Sequence, residues 1–266
     1  MNLKFFLVCF CAFVLNIGYT VFAQDIFHGR SKPEKYMDGK LSSVQNISEK
    51  TVGGYPIVNL GGEFNYGYSK VYQSGNVRIN MGSLIIYSDV NKNHTHTLEI
   101  IANLEQGNMS DWLDEPCKRD DLLWKRSIGR SFRDVNCVTV NHFVGHFVNP
   151  TGEFQLILAD LKGEGYQFAP TVIRVAFTRY TSGGRLLSYI VTINPESHGV
   201  RRESSTLWGT NGWHKNLIYK DPEKLKLLEK IKTWSIDVQD KMDKAFDKDL
   251  DAFKNLKPIK LYLSGN

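Results

Sequence analysis

Val172-Ile173-Arg174-Val175-Ala176-Phe177-Thr178-Arg179-Tyr180-Thr181-Ser182-Gly183-Gly184-Arg185-Leu186-Leu187-Ser188-Tyr189-Ile190-Val191-Thr192-Ile193-Asn194 carries the clearest structural period in the chain. Ile173, Val175 and Phe177 alternate with Arg174, Ala176 and Thr178. After the Ser182–Arg185 turn, Leu187, Tyr189, Val191 and Ile193 resume the same two-residue period. Successive strand residues point to opposite faces, so the pattern predicts an antiparallel hairpin with one buried face. A lone hairpin is marginal in water, so this one needs neighbouring strands and a cover over its apolar side.

The neighbours lie upstream. Between Tyr55 and Asn103 the pattern is β-like: Phe64, Tyr66 and Tyr68 alternate with polar or small residues, and Leu84-Ile85-Ile86-Tyr87 follows a Gly82-Ser83 break. Asp89 to Asn93 reads as a turn. The strand after it sets His94, His96, Leu98, Ile100 and Ala102 on one side, with Thr95, Thr97, Glu99 and Ile101 on the other. From Cys137 to Val148 the residues Val138, Val140, His142, Val144, His146 and Val148 share a face, a β-branched alternation typical of strands. Gly107 to Arg133 interrupts the series and is read as an insertion carrying a helix from Asp120 to Ser127.

The cover lies downstream. Asp221-Pro222 is a helix start, the acid capping and the proline occupying the first helical position. Leu228, Ile231, Trp234 or Ser235, Val238, Met242 and Ala245 then recur at spacings of three and four, predicting one long amphipathic helix. A shorter helix is expected from Thr151 to Lys162 with Gly163 as its stop, and a short edge strand from Ile259 to Leu263. The expected class is α+β: a largely antiparallel sheet covered by a long C-terminal amphipathic helix and one or two shorter helices. Residues 24–51 read as an irregular N-terminal arm and 52–266 as a single α+β domain.

Residues 1–23 read as a signal peptide: Lys4, an apolar run from Phe5 to Val14, and Val21-Phe22-Ala23 before Gln24. Asn16, Gly18 and Thr20 break the run well short of the roughly 20 apolar residues that a span needs. The expected address is export, periplasmic in a Gram-negative source and secreted otherwise, with no stable membrane span after cleavage. Removing the leader takes Cys9 and Cys11 with it and leaves Cys117 and Cys137, which an oxidising compartment should join in a disulfide. The net charge of +5 is spread over mixed-sign clusters, which excludes a nucleic-acid footprint.

No serine elbow, Ser-x-x-Lys, phosphate loop or Cys-x-x-Cys is present, so no catalytic residue is identified. His94-Thr95-His96 on a regular strand would put two imidazoles on one face, with Cα atoms about 6.6 Å apart, where they could share a divalent metal. The x-His-x-His-x pattern resembles the first motif of cupins. It departs from that motif at Ser88 and in the spacing to Glu99, so no cupin ligand set is carried over. His142 and His146, four strand residues apart, stand about 13 Å from one another, too far for one ion. Trp208-Gly209-Thr210-Asn211-Gly212-Trp213-His214, inside a long polar loop from Asn194 to Lys215, supplies two indoles and polar side chains suited to a saccharide or peptide ligand. Trp208, Asn211, Trp213 and His214 are its candidate contact residues. The expected function is a non-catalytic, cofactor-free binding or envelope-associated module of unknown partner. The alternative is a metal-dependent hydrolase-like enzyme using His94 and His96.

Overall fold

The computed structural model describes residues 24–25, 50–61, 64, 66–73, 80–104, 116–129, 131, 133–145, 158–159 and 161–264. The predicted leader, most of the N-terminal arm and His146 lie outside the described residues. A small three-stranded sheet joins β1 (Gln24–Asp25), β2 (Lys50–Val52) and β3 (Tyr55–Pro56). The main sheet has seven strands: β4 (Tyr66–Gln73), β5 (Asn80–Val90), β6 (Asn93–Asn103), β7 (Trp124–Ser127), β8 (Asp134–Val144), β9 (Thr171–Thr181) and β10 (Arg185–Ile193). Their order is β4-β5-β6-β10-β9-β8-β7 and every neighbouring pair is antiparallel. The predicted hairpin is β9–β10, turned at Gly184 with φ 77°, and it forms the centre of the sheet.

The alternation sorts the central strands into two unlike faces. On one face Leu98, Ile100, Val138, Val140, Ile173, Val175, Phe177, Tyr189 and Val191 are buried against α1 (Pro222–Gln239). Asp221 caps that helix, its carboxylate accepting from the backbone N–H groups of Glu223 at 3.1 Å and Lys224 at 3.2 Å. Leu228, Ile231, Trp234, Ser235 and Val238 form the predicted stripe, and the Trp234 ring meets Phe177 edge-on at 5.6 Å. The opposite face carries apolar clusters at both ends, Tyr87 and Val172 with Leu158 and Leu161 at one, and Met81, Val135, Tyr180 and Leu186 at the other. Its middle is polar.

Four local expectations are corrected. The helix expected at Asp120–Ser127 is instead a 3-10 turn at Pro116–Lys118 followed by strand β7, because pairing with β8 overrides a weak local helical preference. The long helix divides. It ends at Gln239, whose side-chain amide donates to the carbonyls of Arg126 and Asn136, each at 3.1 Å, and the stripe continues through α2 (Met242–Phe246). There Met242 and Ala245 enter the same core while Phe246 lies under the guanidinium groups of Arg179 and Arg185. Ile259–Ser264 is a helix, α3, with Ile259 and Leu263 buried four residues apart, a spacing that suits a helix as well as a strand end.

The fourth correction concerns the helix predicted to stop at Gly163, of which residues 158–159 and 161–163 are described as helical. Its stop is Gly165 at φ 87°, where Gly165 N–H donates to the Lys162 carbonyl and Tyr166 N–H to the Leu161 carbonyl. This is the Schellman arrangement, and its left-handed position favours glycine. Cys117 and Cys137 are joined in a disulfide with Cα atoms 6.0 Å apart, tying the Pro116–Lys118 turn to β8. No helix among the described residues is long and apolar enough to cross a membrane.

Candidate functional site

The loop after β10 is held by polar side chains that fold it back on the sheet. Asn194 donates its side-chain amide to the His94 carbonyl at 2.8 Å and caps a 3-10 turn at Pro195–His198 by accepting from Glu196 N–H. Farther along, the Lys224 ammonium near the start of α1 pairs with Glu203 at 2.9 Å and Asp221 at 3.2 Å. Gly212 N–H donates to the same Glu203 oxygen. Lys224 is buried and the Glu203 side chain nearly so, so each charge needs the other.

Two of the four predicted loop contacts are therefore scaffold. Trp213 is fully buried in the main core. Asn211, also fully buried, donates to Thr171 Oγ1 at 3.0 Å and to the Ser205 carbonyl at 2.9 Å while accepting from Trp213 N–H at 3.0 Å. These bonds consume the polar atoms that sequence reading assigned to a ligand.

The other two meet a third residue from the sheet. Trp208 keeps 39% of its surface exposed, beside Leu207 at 68%. The indole stacks on the His142 ring with centroids 5.2 Å apart and planes 15° apart, and the half-buried His214 ring stands perpendicular to both, 4.5 Å from Trp208 and 6.1 Å from His142. His142 Nε2 faces the Trp208 carbonyl at 3.2 Å, and since a carbonyl only accepts, this nitrogen carries the hydrogen. Burial lowers the His142 pKa and the nearby His214 adds to the effect, while the Trp208 carbonyl and Asp121 oppose it. A neutral imidazole clamped in this way orients an indole. It is not placed to take up a substrate proton, because its acceptor nitrogen Nδ1 is turned into the buried side.

His94 and His96 do not share a face. The register of β5 against β6 shifts between Ser88 and Asp89, leaving Thr95 as the extra residue of a β-bulge, with its hydroxyl donating to the Ser88 carbonyl at 3.0 Å. Alternation is reset at the bulge. His94 stays with Tyr87 and Phe168 on the face away from α1, its Nε2 bonded to Thr97 Oγ1 at 2.8 Å. His96 turns to the α1 side, where Nε2 donates to the Gly61 carbonyl at 3.4 Å. Among the described residues, no group of three or more His, Cys, Asp or Glu side chains is arranged to hold a metal ion.

Sequence reading did not single out His198, which closes the Pro195–His198 turn. Burial, with the charges of His96 and Lys230 adding to it, lowers its pKa to about 4. No motif could have flagged it, because its environment is assembled from β6 and α1. No family model, curated protein or solved structure matches the chain.

Proposed function

We propose that the chain is an exported, non-catalytic binding module of the cell envelope or its surroundings, and that it engages a peptide segment of a partner through the Leu207–Trp208 platform. The observation that carries this reading is the Trp208 indole, held from beneath by His142, flanked by His214 and left with more than a third of its surface open. Large aromatic side chains fixed by their neighbours lose little entropy on binding and dominate contact energies. Leu207 beside it, with 68% of its surface exposed, extends the apolar surface, which favours a peptide over a sugar. Export accords with the Cys117–Cys137 disulfide and with the leader-like sequence before Gln24.

The test is a tiled-peptide array and a glycan array probed with the purified protein from Gln24 onward and with Trp208→Ala. Peptide signals that fall at least tenfold in the variant support the reading. Signals confined to glycans would reassign the ligand, and signals indifferent to Trp208 would remove the platform from consideration. Export is tested separately by fractionation and N-terminal sequencing, with Gln24 expected as the first residue.

A further inference from the structure

The sheet face away from α1 has an unusual centre. Register places Glu99, Ile190, Ala176 and Thr139 in one cross-strand row, and Thr97, Thr192, Arg174 and Asn141 in the next. An acid on β6 and a base on β9 thus sit on the same face, two strands and one row apart, about 12 Å between Cα atoms from strand and residue spacings. Both are partly buried, as are Ala176 and Thr178, whereas Thr97, Thr139, Ser188 and Thr192 around them are buried. Polar floor, opposite charges and apolar ends occur together here and not on the α1 side.

Glu99 and Arg174 feel each other's charge, yet among the described residues they form no ion pair and neither has a hydrogen-bond partner. The Arg174 guanidinium lies over the Phe143 ring at 5.3 Å, at the boundary with the Tyr87–Leu158–Leu161–Val172 cluster. A guanidinium has five donors in a fixed fork, and partly buried donors are ordinarily matched by acceptors. A fork with no acceptor among the described residues, beside an aromatic ring and two strands from an acid, is the complement of a carboxylate attached to an apolar body.

We propose that this face binds a small apolar carboxylic acid, with its carboxylate forked by Arg174, its second oxygen bonded to the Glu99 carboxyl and its hydrocarbon body against the partly exposed Phe143 and Phe168. Glu99 serves as the protonated partner, and burial raises its pKa in the direction that this role needs. The site is independent of the Trp208 platform, being formed by other residues on the opposite face of the sheet.

The probe is octanoate, titrated by calorimetry into the purified protein, with octan-1-ol and octylamine as controls. Octanoate should bind, and neither control should match it. Arg174→Gln should weaken octanoate by roughly 30-fold, the scale of hydrogen bonds to a charged group. Glu99→Gln, which keeps a donor, should bind like the original chain, whereas Glu99→Ala should not. If the Arg174 variant fails to fold, the arginine Nε–Hε resonances of the unaltered protein provide the reading, since one of them should shift on saturation with octanoate. Absence of octanoate binding, equal affinity for octan-1-ol, or arginine resonances that do not move would overturn the proposal. Because Trp208→Ala leaves this face untouched, octanoate binding should survive it.

Discussion

His94 and His96, two residues apart, present their rings to opposite faces of one sheet because Thr95 between them is a bulge residue opposite Ser88. Side chains with no shared partner contribute independently to stability. In a double-mutant cycle, His94→Ala and His96→Ala should add to within about 0.5 kcal/mol, and added zinc should shift the melting temperature of neither. A coupling well above that value, or zinc stabilisation lost in both variants, would mean that the two rings share an ion.

Gly212 approaches the Lys224–Glu203 pair so closely that a Cβ built on it would lie 2.3 Å from both Lys224 Nζ and Glu203 Oε2. Both atoms end flexible side chains and can move aside, but only by stretching the Lys224–Glu203 ion pair. Gly212→Ala should therefore destabilise the protein by about 1–2 kcal/mol. Asn211→Ala, which strands the partners of a fully buried amide, should cost on the order of 2 kcal/mol. Urea midpoints check both, and a loss below 0.5 kcal/mol in either would mean that the loop is anchored elsewhere.

Much of the fold is legible because its signal is periodic. The β9–β10 hairpin, the β6 and β8 strands and the Asp221 cap each follow from spacing or from a side chain acting on its own backbone. What alternation cannot carry is a change of parity. Thr95 shifts the count by one, so the histidine pair that looked joined is parted. Nor does composition tell a ligand contact from a scaffold bond: Asn211 and Trp213 have the same residue types as a binding loop and spend them on the core, while Trp208 and His214 do not. The Glu99–Arg174 juxtaposition needed the register of three strands.

Cys117 and Cys137 close a loop with a sequence separation of 20 residues. In the chain-entropy account, a crosslink of that span stabilises by about 3 kcal/mol. Reduction should lower the urea midpoint accordingly while leaving the far-ultraviolet circular dichroism of the native state unchanged, because β7 and β8 remain paired through their backbone. A loss of strand signal on reduction would mean that the bridge holds the edge of the sheet in place rather than only restricting the unfolded chain.

Acid should weaken the fold through its buried histidines. His198 is held neutral, its pKa brought down to about 4 by burial and by the neighbouring His96 and Lys230, and His96 is lowered by burial with Lys260 adding to it. A base whose folded pKa lies below its unfolded value binds fewer protons when folded. Its contribution is therefore complete above the ordinary histidine pKa and is lost as the pH falls from about 6.5 toward 4. Glu99, raised by burial, runs in the opposite sense, so the variant and the original chain are compared at each pH. His198→Gln should remove about 1–2 kcal/mol of the stability difference between pH 7 and pH 5, read from urea midpoints at the two values. An unchanged difference would show that His198 takes up its proton as freely in the folded chain as in the unfolded one.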